Sequence, residues 1–386
     1  MLAFLGAIGM GTPAVAQPVI SPGADRPADL SPSAGIDGQN ATGLSAGNAL
    51  RVRDTVGPLP RQSDDPAVQQ ALARLAFEPA EFEVVVTPAP KRLGPLAVAD
   101  PSSLPDAWVR YPSPFQTGDV QIDRVTVRWF QAQGVAPGGS APAVVIAHSL
   151  HPGLVVGNAM ARGLARRGVH GLVVELPGFG ERRPAGVRYA LTETVGRIPQ
   201  GVADLRRARD VAAALPGVDP DRIGLAGVSL GGLFATLAGG LDGAFVRVEL
   251  LSTGGQVARV LTEGAKDAYF AARALRAAGR TDAQIAATVN AMEPTVLAYR
   301  LAPTRTRLFA AADDQVFPMD SVRALAKAAG LSVETGGLVW IAGNHYTMAG
   351  AMPAVLDAMA QSLKNAENAS APATAQVEGV STLQER

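Results

Sequence analysis

Residues 223–234 read IGLAGVSLGGLF. A small apolar run enters Gly227-Val228-Ser229-Leu230-Gly231 and a helix-compatible run leaves it, so one serine stands between two glycines where a strand becomes a helix. A serine hydroxyl is a weak nucleophile unless a base takes its proton and the backbone presents its Oγ. A tight strand-to-helix turn does the presenting but crowds neighbouring Cβ atoms, and Gly227 and Gly231 relieve the crowding, with Gly232 adding slack. The same turn makes the Leu230 N–H the first of a helix, aimed beside the Oγ where an oxyanion would form. The pattern alone is weakly selective: with 42 glycines in 386 residues, G-x-S-x-G is expected by chance about 0.2 times per chain. A second copy, Gly43-Leu44-Ser45-Ala46-Gly47, follows no apolar run and serves as the control.

Around Ser229, short apolar runs alternate with helical patterns. The runs are 143–147, 171–176, 223–227, 246–252, 306–311 and 338–343; the helical segments fall near 156–167, 200–215, 231–239, 320–329 and 350–364. Continuously apolar strands alternating with helices predict an α/β fold, with a mainly parallel central sheet covered by helices on both faces. In such sheets ligands bind at the carboxyl ends of the strands. Residues 254–301 interrupt the alternation with about three helical pieces and are read as a small helical cap insertion over that edge. A short helix at 68–76 comes first; strands at 81–86 and 120–130 then alternate in period two, separated by a Pro-rich connection, and are expected to be antiparallel. One folded domain is therefore expected over 68–364.

Composition excludes some classes. The 34 Lys and Arg balance the 34 Asp and Glu, with no long basic run, so nothing favours nucleic acid. There is no cysteine, which removes disulfides, thiol nucleophiles and thiolate metal ligands. Residues 2–16 are apolar and uncharged and end in Ala14-Val15-Ala16, which fits a signal peptide over 1–16 and export to the periplasm or medium; without that role the protein would be cytoplasmic. The stretch is too short for a stable membrane span. Residues 17–67, dense in Pro, Gly, Ser and Asp, read as a disordered leader, and 365–386 as a flexible tail.

Residues 141–364 resemble the α/β-hydrolase superfamily of serine hydrolases, esterases and dienelactone-hydrolase-like enzymes among them, whose nucleophile elbow is G-x-S-x-G and whose triad runs Ser, acid, His. The resemblance implies Asp314 as the acid, because it precedes Pro318 by four residues in Asp313-Asp314-Gln315-Val316-Phe317-Pro318, while Asp320 is read as the cap of the next helix. It implies His345, in a short loop after the last strand, as the base. For the oxyanion hole it implies the N–H of Leu230 and a second donor, Leu150 or Ser149, in His148-Ser149-Leu150-His151, where Ser149 replaces the usual glycine. It implies no cofactor and no metal. His148 is read as a structural loop residue, and His148 with His151 lack a third metal ligand. The GFGERR run at 178–183 fails the dinucleotide pattern at Arg183, and no P-loop occurs. Tyr269 and Phe270 are candidates to line an acyl pocket.

The expected function is hydrolysis of a small-molecule carboxylic ester through an acyl-enzyme on Ser229, with His345 as base then acid and Asp314 orienting it. Two rivals stand beside it: a peptidase or amidase of the same fold, and a non-catalytic binding homologue.

Overall fold

The computed structural model describes residues 48–55, 63, 65–89, 104–151, 154–184, 186, 194–290 and 293–366. The signal segment expected at 1–16, most of the leader expected at 17–67 with Ser45, and all of the tail beyond residue 366 lie outside the described residues.

The strands are β1 (Asn48–Arg53), β2 (Glu81–Pro88), β3 (Ala107–Pro112), β4 (Arg124–Phe130), β5 (Ala141–Ala147), β6 (His170–Val174), β7 (Val218–Val228), β8 (Val248–Leu251), β9 (Thr306–Ala311) and β10 (Leu338–Ile341). They make one sheet in the order β1-β2-β3-β4-β6-β5-β7-β8-β9-β10. From β6 to β10 all neighbours are parallel, while β1 to β4 form an antiparallel wing joined to β6. Strand order reverses at β5, which sits between β6 and β7. That reversal opens a crevice at the carboxyl ends of these strands, and Ser229 follows directly on β7.

The central strands are apolar throughout because both faces are covered, as a period-two strand between two helical layers requires. In β5, Ala143, Val145 and Ala147 join one core, and Val144 and Ile146 the other. One layer holds α2 (Val155–Ala165) and α9 (Met352–Lys364), whose Met160, Leu164, Val355 and Met359 fill the second core. The opposite layer holds α3 (Ile198–Ala214), α4 (Leu230–Leu241) and α8 (Met319–Ala328). Ahead of them α1 (Pro66–Leu75) is capped by Asp65, whose carboxylate accepts the Ala67 N–H.

Between β8 and β9 lie α5 (Val257–Glu263), α6 (Asp267–Ala277), α7 (Asp282–Asn290) and a turn at Thr295–Ala298. In α6 the buried residues Ala268, Ala271, Ala272 and Leu275 recur at helical spacing and turn one stripe towards the domain.

Three features differ from the sequence reading. Residues 48–53, within the expected leader, form β1, paired along its length with β2. Its polar alternation hides it, with Arg51 and Arg53 exposed and Val52 buried; the buried pair of Asp54 with Arg207 on α3 fastens its end. Residues 107–112, within the expected Pro-rich connection, form β3. Residues 120–123 are a helical turn capped by Asp119 rather than the start of a strand, because the Asp123 carboxylate accepts the N–H groups of Thr117 and Gly118 and bends the chain back.

Candidate active site

Ser229 sits at the step from β7 to α4 with φ 53° and ψ −117°, a conformation that L residues rarely adopt. The strain is held from both sides. The Ser229 N–H donates to the Leu251 carbonyl at 2.9 Å, and its own carbonyl accepts the Gly232 N–H at 2.9 Å. A β-carbon at Gly227 would meet the Gly231 backbone and Ala235, and one at Gly232 would meet Thr253, so the glycines are there for space. The result is a buried serine whose Oγ faces the crevice.

The loop after β10 brings His345 to it. The Ser229 Oγ lies 3.1 Å from His345 Nε2, across 116 positions of chain. On the other side of the ring, Nδ1–H donates to Asp314 Oδ2 at 2.7 Å. These contacts fit one tautomer, with the proton on Nδ1 and Nε2 free to accept from the serine hydroxyl. Asp314 follows β9, and its second oxygen accepts the N–H groups of Val316 at 2.8 Å and Phe317 at 2.9 Å. Both carboxylate oxygens are thus occupied, and the side chain is 1% exposed. Phe317 stacks near the imidazole, with ring centroids 6.2 Å apart. Asp313 is not part of this chain; its N–H donates to the Gly343 carbonyl. Asp320 lies in the first turn of α8, whose N-cap is Pro318.

The residues expected to form the oxyanion hole lie at the start of α4 and in the loop after β5. Leu230 is the first residue of α4, so its N–H is among those a helix leaves without an internal partner. Leu150 and Ser149 both border the space around Ser229, and the Ser149 hydroxyl is buried with no hydrogen-bond partner. His148 is structural: Nδ1–H donates to the Ser149 carbonyl at 2.7 Å and Nε2 accepts the Leu176 N–H at 3.1 Å. Burial pushes this imidazole down to about 3, so it stays neutral and pins the 148–150 loop to the end of β6.

Two cavities meet at the serine. The narrow one, about 90 Å³, runs between α4 and the 257–290 helices, and Ser229 and Asp267 are the polar side chains in its lining. The wider one, about 510 Å³, has Ser149, His151, Arg183, Ser252, Asp267, His345 and Tyr346 on its border together with the apolar Val156, Phe179, Phe270, Met348 and Met352. Tyr269 and Phe270 were candidates for an acyl pocket; neither borders the narrow cavity. Tyr269 points to solvent and Phe270 borders the wider space, because the inward stripe of α6 falls on Ala268, Ala271 and Leu275. Sequence reading also missed Tyr346 and Asp267. Partial burial, and then the neighbouring Asp267 carboxylate, raise the Tyr346 phenol to about 12, and both side chains border the wider cavity. Adjacency to His345 was the only signal available for Tyr346. Asp267 carried none.

Among the described residues no cluster of His, Asp or Glu is arranged to hold a metal ion, and no helix is long and apolar enough to cross a membrane.

A family model described as "Alpha/beta hydrolase domain containing 18" matches residues 157–362. Among solved structures, an acetyl xylan esterase from Paenibacillus sp. R4 is similar at TM-score 0.51 and 18% identity, covering 79% of this chain and 97% of that one. Acetyl xylan esterase 1 from Thermoanaerobacterium sp. JW/SL YS485 is similar at TM-score 0.52 and 15% identity, covering 79% and 96%. At these identities the likeness shows a shared fold. No curated protein matches the chain.

Proposed function

Since the chain belongs to the alpha/beta hydrolase domain containing 18 family, we propose that it is a serine hydrolase cleaving carboxylic esters through an acyl-enzyme on Ser229. The observation that carries the reading is the unbroken hydrogen-bond chain from Ser229 Oγ through His345 to Asp314.

In acylation, Ser229 Oγ attacks the ester carbonyl carbon while its proton passes to His345 Nε2. Asp314 holds Nδ1–H and stabilises the imidazolium without taking the proton. The Leu230 N–H and a second amide N–H, from Leu150 or Ser149, donate hydrogen bonds to the oxyanion. The tetrahedral adduct then breaks its carbon–oxygen bond to the alcohol, which leaves with the proton from Nε2. Water repeats the sequence on the acyl-enzyme: Nε2 takes its proton, the acid departs and Oγ recovers its hydrogen. With residues 1–16 read as a signal, the enzyme works in the periplasm or outside the cell.

Turnover of nitrophenyl esters and of aminoacyl anilides by the wild type and by Ser229→Ala tests this. The reading expects ester turnover that Ser229→Ala abolishes and anilide turnover lower by orders of magnitude. Efficient anilide cleavage would make it a peptidase, and ester turnover surviving in Ser229→Ala would remove the mechanism.

A further inference from the structure

Resting on that reading, we infer that the narrow cavity receives the acyl part of the substrate and prefers chains of about four to six carbons, while the wider cavity receives the alcohol.

The side of the serine on which each group sits follows from the proton. The leaving oxygen must collect its hydrogen from His345 Nε2, so the alcohol lies on the side where the imidazole is exposed. His345 borders the wider cavity and not the narrow one, whereas Leu230, whose amide faces the oxyanion, borders the narrow one. The acyl chain therefore points along α4. Leu230, Leu233 and Leu237 line this cavity on successive turns.

Volume sets the length. A cavity of about 90 Å³ holds roughly six water-sized groups, so an acetyl group leaves most of it empty and a ten-carbon chain overfills it. Each methylene buried there is worth about fourfold in kcat/KM until the space is used up. The wider cavity, about 510 Å³, is bordered by Val156, Phe179, Phe270, Met348 and Met352 as well as by Arg183, Asp267, His151 and Tyr346, and leaves room for the departing alcohol beside His345.

The test is kcat/KM across nitrophenyl esters from two to twelve carbons, for wild type, Ala268→Leu and Leu233→Ala. Each preparation is titrated with a small alkyl fluorophosphonate to count reactive Ser229. Ala268 borders the narrow cavity alone, so leucine there fills it; Leu233 is half-buried, so its truncation enlarges the space at little cost to folding. The inference expects a rise of about fourfold per methylene up to six carbons and a fall of at least tenfold by ten carbons. It expects the optimum to move shorter in Ala268→Leu and longer in Leu233→Ala. A profile that is flat or highest at acetate, or an optimum that neither variant moves, with Ser229 still titrating, overturns this assignment and leaves the hydrolase reading standing. Absence of both titration and ester turnover in folded protein overturns both.

Discussion

A β-carbon placed on Gly231 would overlap the main-chain carbonyl of Ala147, the last residue of β5. The first turn of α4 is thus seated directly on the strand whose following loop holds Ser149 and Leu150, the candidates for the second oxyanion donor, and the glycine two residues after Ser229 sets how closely they approach. Gly231→Ala is expected to cost about 2–4 kcal/mol, through displaced backbone rather than a displaced side chain. Urea denaturation measures it, with exposed Gly243→Ala, which meets nothing within 4 Å, as the control expected to change little. Equal stabilities for the two variants would contradict the close seating.

His345→Ala should lower kcat by about three or more orders of magnitude with a much smaller change in KM, since the groups of such a chain act as a unit. Asp314→Asn should lose about as much, because an amide presents a donor where Nδ1–H needs an acceptor and favours the wrong tautomer. Steady-state kinetics on a nitrophenyl ester checks both. An Asp314→Asn enzyme within tenfold of wild type would show that the 2.7 Å contact does not orient the base.

Acid should expose the role of His148. Burial lowers its folded value from 6.5 to about 3, so between these limits the unfolded chain binds a proton that the native one does not. The contribution is complete above about pH 6.5 and is lost as pH falls towards 3, reaching about 2 kcal/mol by pH 5. Plotted from pH 7 to 5, the unfolding free energy of wild type should fall more steeply than that of His148→Asn, by nearly one proton's worth. His170, also lowered by burial, adds the same slope to both proteins. Parallel curves would contradict the assignment.

The parallel half of the fold was legible because buried strands such as 143–147 and 306–311 are apolar on both faces and are broken by helices of ordinary length. The antiparallel wing was less so. In β1, Arg51 and Arg53 stand on the open face of an edge strand, and in β3 the run AWVRYP lies close to prolines, so neither shows the continuous pattern. Ser229, Asp314 and His345 stood out because each follows a strand and their order matched a known arrangement. What no spacing could show is which face of α6 turns inward. Tyr269 and Phe270 drew attention by size, yet the helical stripe that borders the narrow cavity consists of alanines and Leu275. The identity of Asp267 as a neighbour of Tyr346 depends on how the 257–290 helices return over the sheet, a tertiary fact with no local signature.

The central claim is that Ser229 carries the acyl group. The most direct measurement is peptide mapping by mass spectrometry after rapid acid quench of enzyme turning over a nitrophenyl ester. The account expects the acyl mass on the peptide containing Ser229, and its disappearance in Ser229→Ala. Acyl mass on another residue, such as Ser45, or undiminished turnover with Ser229 unmodified, would contradict it.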